Sequence, residues 1–135
     1  MKVVIGLDVQ SIDDVAKSLE EFGSRYTDKL FTDYEVTSCG GTHPATAASF
    51  AARFAAKEAV LKVLDTRRLV PSWRSIEVRR EKNGPPRIAL SGEAAEMARR
   101  QGVRHLSLSL SHDAGVASAA VVAQISRLRR RGHGE

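Results

Sequence analysis

The feature that most constrains this chain is the stretch from Ala45 to Leu64, ATAASFAARFAAKEAVLKVL, which has helix-forming composition over about five turns. Taking every third or fourth residue sets Phe50, Phe54, Leu61 and Leu64 on one stripe, with Glu58 between Phe54 and Leu61. A carboxylate so placed needs a cation partner, a metal or a raised pKa, because an unpaired buried charge costs about 3–5 kcal/mol. The other reading of the same spacing is an ordinary surface pair between Glu58 and Lys62 at i+4. Arg53, Lys57 and Lys62 add positive charge around Glu58, and a helix side carrying both cations and a carboxylate suits a polyphosphate substrate as well as a solvated edge.

The remaining elements follow from hydrophobic period and punctuation. Val3 to Val9 reads as a strand buried on both faces and ending near an acid, Asp8. Ser11 caps a helix that runs through Ile12, Val15, Ala16, Leu19 and Phe22 to Gly23. Thr32 and Glu35 have capping-box spacing and open a short helix toward Cys39, ended by Gly40-Gly41. Thr42 or His43 starts the long helix, with Pro44 in its first turn. Ser72–Arg80 and Arg87–Leu90 form a hairpin across Asn83-Gly84-Pro85-Pro86, a helix follows from Ser91 or Gly92 to Gly102, and His105–Ser111 pairs with Val116–Ile125 across Asp113-Ala114-Gly115. This order predicts an α+β fold, a mostly antiparallel sheet packed against one long central helix. Residues 1–126 form one domain, and 127–135 a basic, disordered tail.

With 135 residues the chain can enclose one core, so a deep site calls for a second subunit. No apolar run approaches the ~18 residues of a membrane span, the start MKVVIGLDVQ reads as a strand and not a signal peptide, and the single Cys39 fits a reducing compartment. A cytoplasmic protein is expected. The formal charge of +5 is largely due to Arg127, Arg129, Arg130 and Arg131; without them the body carries about +1. The paired arginines of the body lack interleaved aromatic residues, which argues against nucleic-acid binding.

Chemistry concentrates in two places. Asp8 and Glu58 meet at one edge of the core if the long helix crosses the first strand, and two such carboxylates call for a hard divalent ion, most simply Mg²⁺. In LSLSLSHD, Ser107, Ser109 and Ser111 share one strand face, and His112 stands at the strand end beside Asp113, able to donate to an anion. A Ser-His-Asp hydrolase is excluded, because neighbouring strand residues face opposite ways and no GxSxG motif is present. Cys39 and His43 lack the further ligands of a zinc site.

Taken together, GLD at 6–8, FT..E at 31–35, RFAAKEAVLK at 53–62, NG.P at 83–86, L.G at 90–92 and SLSH at 109–112 resemble, in order, the 4′-phosphopantetheinyl transferases. The resemblance is to the small single-domain holo-acyl-carrier-protein synthase branch, over nearly the whole chain to about Gln124. It implies transfer of the phosphopantetheine arm of coenzyme A to a serine of an apo acyl or peptidyl carrier protein, releasing adenosine 3′,5′-bisphosphate, with Mg²⁺ on the pyrophosphate. By the same resemblance Asp8 and Glu58 would hold the metal and Glu58 would help to deprotonate the serine. Lys62 would neutralise the leaving phosphate, Arg53, Ser111 and His112 would contact coenzyme A phosphates, and Phe54 and Pro86 would line the nucleotide site. A homotrimer with sites between subunits is also implied. The chain departs from the family in an acidic first helix (Asp13, Asp14, Glu20, Glu21), in DTRRLVPSW without glycine, and in GVASAAVV without an aromatic residue. Those departures suggest an unusual carrier, or a coenzyme A- or partner-binding protein with reduced turnover.

Overall fold

The computed structural model describes residues 1–39, 45–81 and 84–126. The elements are β1 (Lys2–Ser11), α1 (Ile12–Phe22), α2 (Ser24–Leu30), α3 (Asp33–Cys39), α4 (Ala45–Val63), a single 3-10 turn (Trp73–Ser75), β2 (Ile76–Arg80), β3 (Pro86–Leu90), α5 (Gly92–Gln101), β4 (Val103–Asp113) and β5 (Val116–Ile125). Expectations for Gly40 to Pro44, Asn83 and the arginine tail lie outside the described residues.

The α+β reading holds, with the strands divided between two antiparallel sheets, β1-β5-β4 and β2-β3. β5 lies at the centre of the larger sheet because the hairpin from β4 pairs on one side and β1 on the other, Gly6 opposite Val121 and Asp8 opposite Ala119. The hairpin turns over Ala114 (φ 50) and Gly115 (φ 81), the positive angles a primed two-residue turn needs. Its Gly115 carbonyl accepts from the Ile12 amide, tying the turn to the start of α1. Ser11 caps α1 as expected, its hydroxyl accepting from the Asp14 amide at 3.1 Å.

Helix α4 crosses the inner face of the larger sheet. Its buried residues are mainly small, Ala51, Ala55, Ala56 and Ala59 with Val60, and they meet a strand equally small in Ala117, Ala119, Val121 and Ala123. Small residues on both sides let backbone approach backbone, which is why an alanine-rich segment forms the central helix here. The closest approach is at Gly6: a Cβ there would stand 2.1 Å from the Ala59 carbonyl oxygen and 3.2 Å from the Lys62 Cβ. Glycine is therefore required by space and not by a positive φ.

The structure adds one helix and corrects one expectation. Between Gly23 and Thr32, Ser24–Leu30 forms α2, whose start directly behind Gly23 masks it in the hydrophobic pattern. β1 is not buried on both faces. Val3, Ile5, Leu7 and Val9 are 58, 68, 58 and 55% exposed, while Gly6 is buried on the opposite face beneath α4. The apolar run is two-sided, and among the described residues only one side is covered.

Gly6→Ala should lower unfolding free energy by about 1–3 kcal/mol, the usual cost of overpacking. Urea denaturation checks this, and a variant as stable as the parent would show that α4 can lift off β1 without loss.

Candidate active site

The crossing of α4 over β1 brings Asp8, Glu58 and Lys62 together. Lys62 Nζ donates to the Leu7 carbonyl at 2.6 Å and lies 3.4 Å from Asp8 Oδ1. The other Asp8 oxygen, Oδ2, accepts from Gln10 Nε2 at 2.7 Å. Glu58 is half-buried beside them, and among the described residues no salt bridge reaches it. Its carboxyl is held above the ordinary carboxylate range, first by loss of hydration and then by the Asp8 charge, against a smaller opposing pull from Lys62. The i+4 pair, the other reading of Glu58 and Lys62, is therefore not the contact formed: the ammonium goes to Asp8, and Glu58 is only partly compensated.

Lys57 belongs to a different structure altogether. Consecutive helix residues point about 100° apart, and Lys57 is turned away from β1 into full burial, 2.7 Å from Glu35. Its ammonium also donates to the carbonyls of Trp73, at 3.0 Å, and Ile76. Glu35, likewise buried, accepts from the Thr32 amide at 2.9 Å and the Val78 amide at 2.8 Å. The capping box expected at Thr32 and Glu35 is present, with the Glu35 amide donating to Thr32 Oγ1 at 3.2 Å. The fully buried carboxylate of this chain is thus Glu35 and not Glu58. Its signal in the sequence was the cap, which says nothing of a lysine more than 20 residues away.

The other expected site residues are spread around this centre. Phe54, one turn before Glu58, packs against Trp73 with ring centroids 5.2 Å apart. Arg53 is buried; its Nη1 donates to the Ser49 carbonyl at 3.3 Å, and its Nε has no hydrogen-bond partner among the described residues. His112 lies on the inner sheet face opposite Ala117, which in turn faces Gln10 across the sheet, two residue pairs along from the Asp8–Ala119 pair. Ser111 is on the outer face with Ser107 and Ser109, opposite Ser118. Pro86 opens β3, paired with Arg80 in the smaller sheet. Within one chain, then, Lys62 contacts Asp8, Glu58 lies near enough to feel both charges, His112 stands on the same sheet face two strands away, and Ser111 and Pro86 stand apart. Cys39 is buried, and burial pushes its thiol up to about 11, so it is no nucleophile.

A hard cation fits the central pair. Two carboxylates close enough for the Asp8 charge to disfavour the ionised form of Glu58 would gain from a divalent ion bound to both. No group of three acidic, histidine or cysteine ligands occurs among the described residues, so most of an ion's coordination would come from water and substrate oxygens, the habit of Mg²⁺. No helix among the described residues is long and apolar enough to cross a membrane.

The family model of the 4′-phosphopantetheinyl transferase superfamily matches residues 4–122. A holo-[acyl-carrier-protein] synthase of Streptomyces griseus is 43% identical over 127 residues, covering 92% of this chain and 99% of that protein. The corresponding protein of Streptomyces avermitilis is 44% identical over 123 residues, covering 89% and 95%. Among solved structures, the Helicobacter pylori holo-[acyl-carrier-protein] synthase in complex with coenzyme A superposes with a TM-score of 0.72 at 31% identity, over 90% of this chain and all of that one.

The raised Glu58 carboxyl makes the folded chain hold this proton more readily than the unfolded chain. The stability it contributes is present below the ordinary value of 4.5 and is lost as pH rises through the raised value. Glu58→Gln should therefore melt higher than the parent at neutral pH without metal, and the gap should close toward about pH 4. Thermal melts across that range test it; a gap independent of pH would remove the Asp8–Glu58 conflict.

Proposed function

The chain belongs to the 4′-phosphopantetheinyl transferase superfamily, and we infer that it acts as a holo-acyl-carrier-protein synthase. It moves the 4′-phosphopantetheine arm of coenzyme A to a serine of an apo acyl or peptidyl carrier protein. The observation that carries this reading is the Asp8–Glu58 pair at the α4–β1 crossing, with Lys62 beside it.

Asp8 and Glu58 are the residues that would hold Mg²⁺, which when bound would supply charge neutralisation on the pyrophosphate. Glu58 is also assigned to accept the proton of the attacking hydroxyl, directly or through a water on the bound ion. The serine oxygen attacks the phosphorus that bears the pantetheine arm, a new O–P bond forms, and the bond to the second phosphate breaks, releasing adenosine 3′,5′-bisphosphate. Lys62, half-exposed on a flexible stem, can leave Asp8 to neutralise the departing phosphate. Arg53 and His112 are assigned to coenzyme A phosphates, and Phe54, braced by Trp73, to the nucleotide wall. The Arg53 Nε without a partner supports an anion as its ligand.

Ser111 and Pro86 fit the same assignment if a second copy completes the site. The exposed stripe Val3, Ile5, Leu7 and Val9 continues onto Val122 of β5, an apolar sheet face of the kind that self-association covers. A homotrimer with sites between subunits is our proposal for it, in a cytoplasmic setting that accords with the single buried thiol.

Incubation with coenzyme A, Mg²⁺ and a panel of apo carriers should add the phosphopantetheine arm to a carrier serine, read by mass spectrometry. Glu58→Gln should abolish transfer while keeping the fold. Coenzyme A binding with no carrier modified would point instead to a binding protein that retains the fold.

Ile5→Glu should break the assembly to monomers in sedimentation and lose transfer with it. A monomeric variant with full activity would show that each chain is complete by itself.

A further inference from the structure

The two oxygens of Asp8 have different partners. Oδ1 faces the Lys62 ammonium at 3.4 Å, and Oδ2 accepts from the Gln10 side-chain amide at 2.7 Å. Gln10 lies two residues beyond Asp8 on the same face of β1, while Val9 between them is exposed on the other face. Across the sheet Gln10 is opposite Ala117, whose small side chain leaves the amide room to lie along the strand toward Asp8. Only the NH₂ end of an amide can donate to a carboxylate, so this contact fixes which way the Gln10 side chain is turned.

We propose that Gln10 is a positioning residue for the metal-binding carboxylate, fixing the Asp8 plane and occupying Oδ2 so that Oδ1 is the oxygen presented to the cation. The inference rests on the two-carboxylate metal site proposed above. The χ2 torsion of aspartate is broad, so a carboxylate held by one partner samples many orientations and one held by a second does not. The chemistry of the partner also matters. Lysine or arginine at this position would cancel the Asp8 charge and weaken its hold on a cation, and a second acid would repel it. A neutral amide orients the carboxylate and leaves its charge intact. Lys62 then acts as the counter-ion on Oδ1 in the ligand-free chain: its half-exposed ammonium can move away, while Gln10 stays in place.

The test is Mn²⁺ binding to the full chain, followed by electron paramagnetic resonance, for the parent, Gln10→Met and Gln10→Ala. Both variants should bind Mn²⁺ about 10–100-fold more weakly, the range for loss of a group that orients a metal ligand. Their metal-free melting temperatures should remain near the parent's. In the transfer assay the loss should appear as a higher Mg²⁺ requirement, with turnover recovered at excess Mg²⁺, which a general packing defect would not permit. Unchanged Mn²⁺ affinity, or lost turnover that excess Mg²⁺ does not restore, would overturn the role of Gln10. A parent chain that fails to bind Mn²⁺ would overturn the two-carboxylate site itself, and the inference with it.

Discussion

The buried Lys57–Glu35 pair is the contact on which the geometry of the rest depends. An ammonium has three donors, and Lys57 spends them on Glu35 and on the carbonyls of Trp73 and Ile76. Glu35 in turn accepts from the amides of Thr32 and Val78. One ion pair thus joins α3, α4 and the start of β2, with the Phe31 ring 5.5 Å from the ammonium. Such a pair is weak evidence for net stability, because two charges have been taken out of water, and the Lys57 pKa is lowered chiefly by that burial. What it supplies is rotation. With residue 57 fixed on one side of α4, residue 58 must point about a quarter-turn away, toward β1 and Asp8.

Much of this was legible in the sequence because it was written in local signals. The caps at Ser11 and Thr32, the glycine stops at Gly23 and Gly102 and the alternation of β4 each rest on residues a few positions apart, and each is present. The meeting of Asp8 with Glu58 was also accessible, since a strand-end acid and a helix acid both demanded a partner. The sequence did not reveal which cation goes where. Lys57 and Lys62 look alike at i−1 and i+4 from Glu58, yet one is fully buried against Glu35 and the other reaches Asp8. Their difference depends on contacts 22 and 54 residues away, which helical spacing cannot encode. Glu35 was hidden for the same reason: a capping box accounts for one of its oxygens and leaves the other, which holds Val78, unmentioned.

The two faces of the larger sheet divide the labour. Inside, Gly6 and the alanines of β5 admit α4 at backbone distance, and that close approach brings Glu58 within reach of the Asp8 charge. Outside, the alternate residues of the same strand are large and apolar, with Val3, Ile5, Leu7 and Val9 exposed on the face away from the other described elements. An apolar run around a glycine and an acid looks like a central strand when only one chain is considered. β1 is in fact an edge strand, and its second face has the composition of an interior.

The charges at the crossing are arranged against the stability of the ligand-free chain. Loss of hydration and the Asp8 charge disfavour the ionised form of Glu58, and Lys62 offsets this incompletely because it bonds Asp8 and the Leu7 carbonyl. Had stability alone been selected, a second cation or a neutral residue at position 58 would remove the conflict. Retaining the acid there makes sense for a site that completes its charge balance with a bound cation and a phosphate, so that repulsion in the resting chain becomes affinity for both. On this view Gly6, Lys57 and Gln10 act on the same quantity: the first sets the distance between the acids, the second the direction of one, and the third the plane of the other.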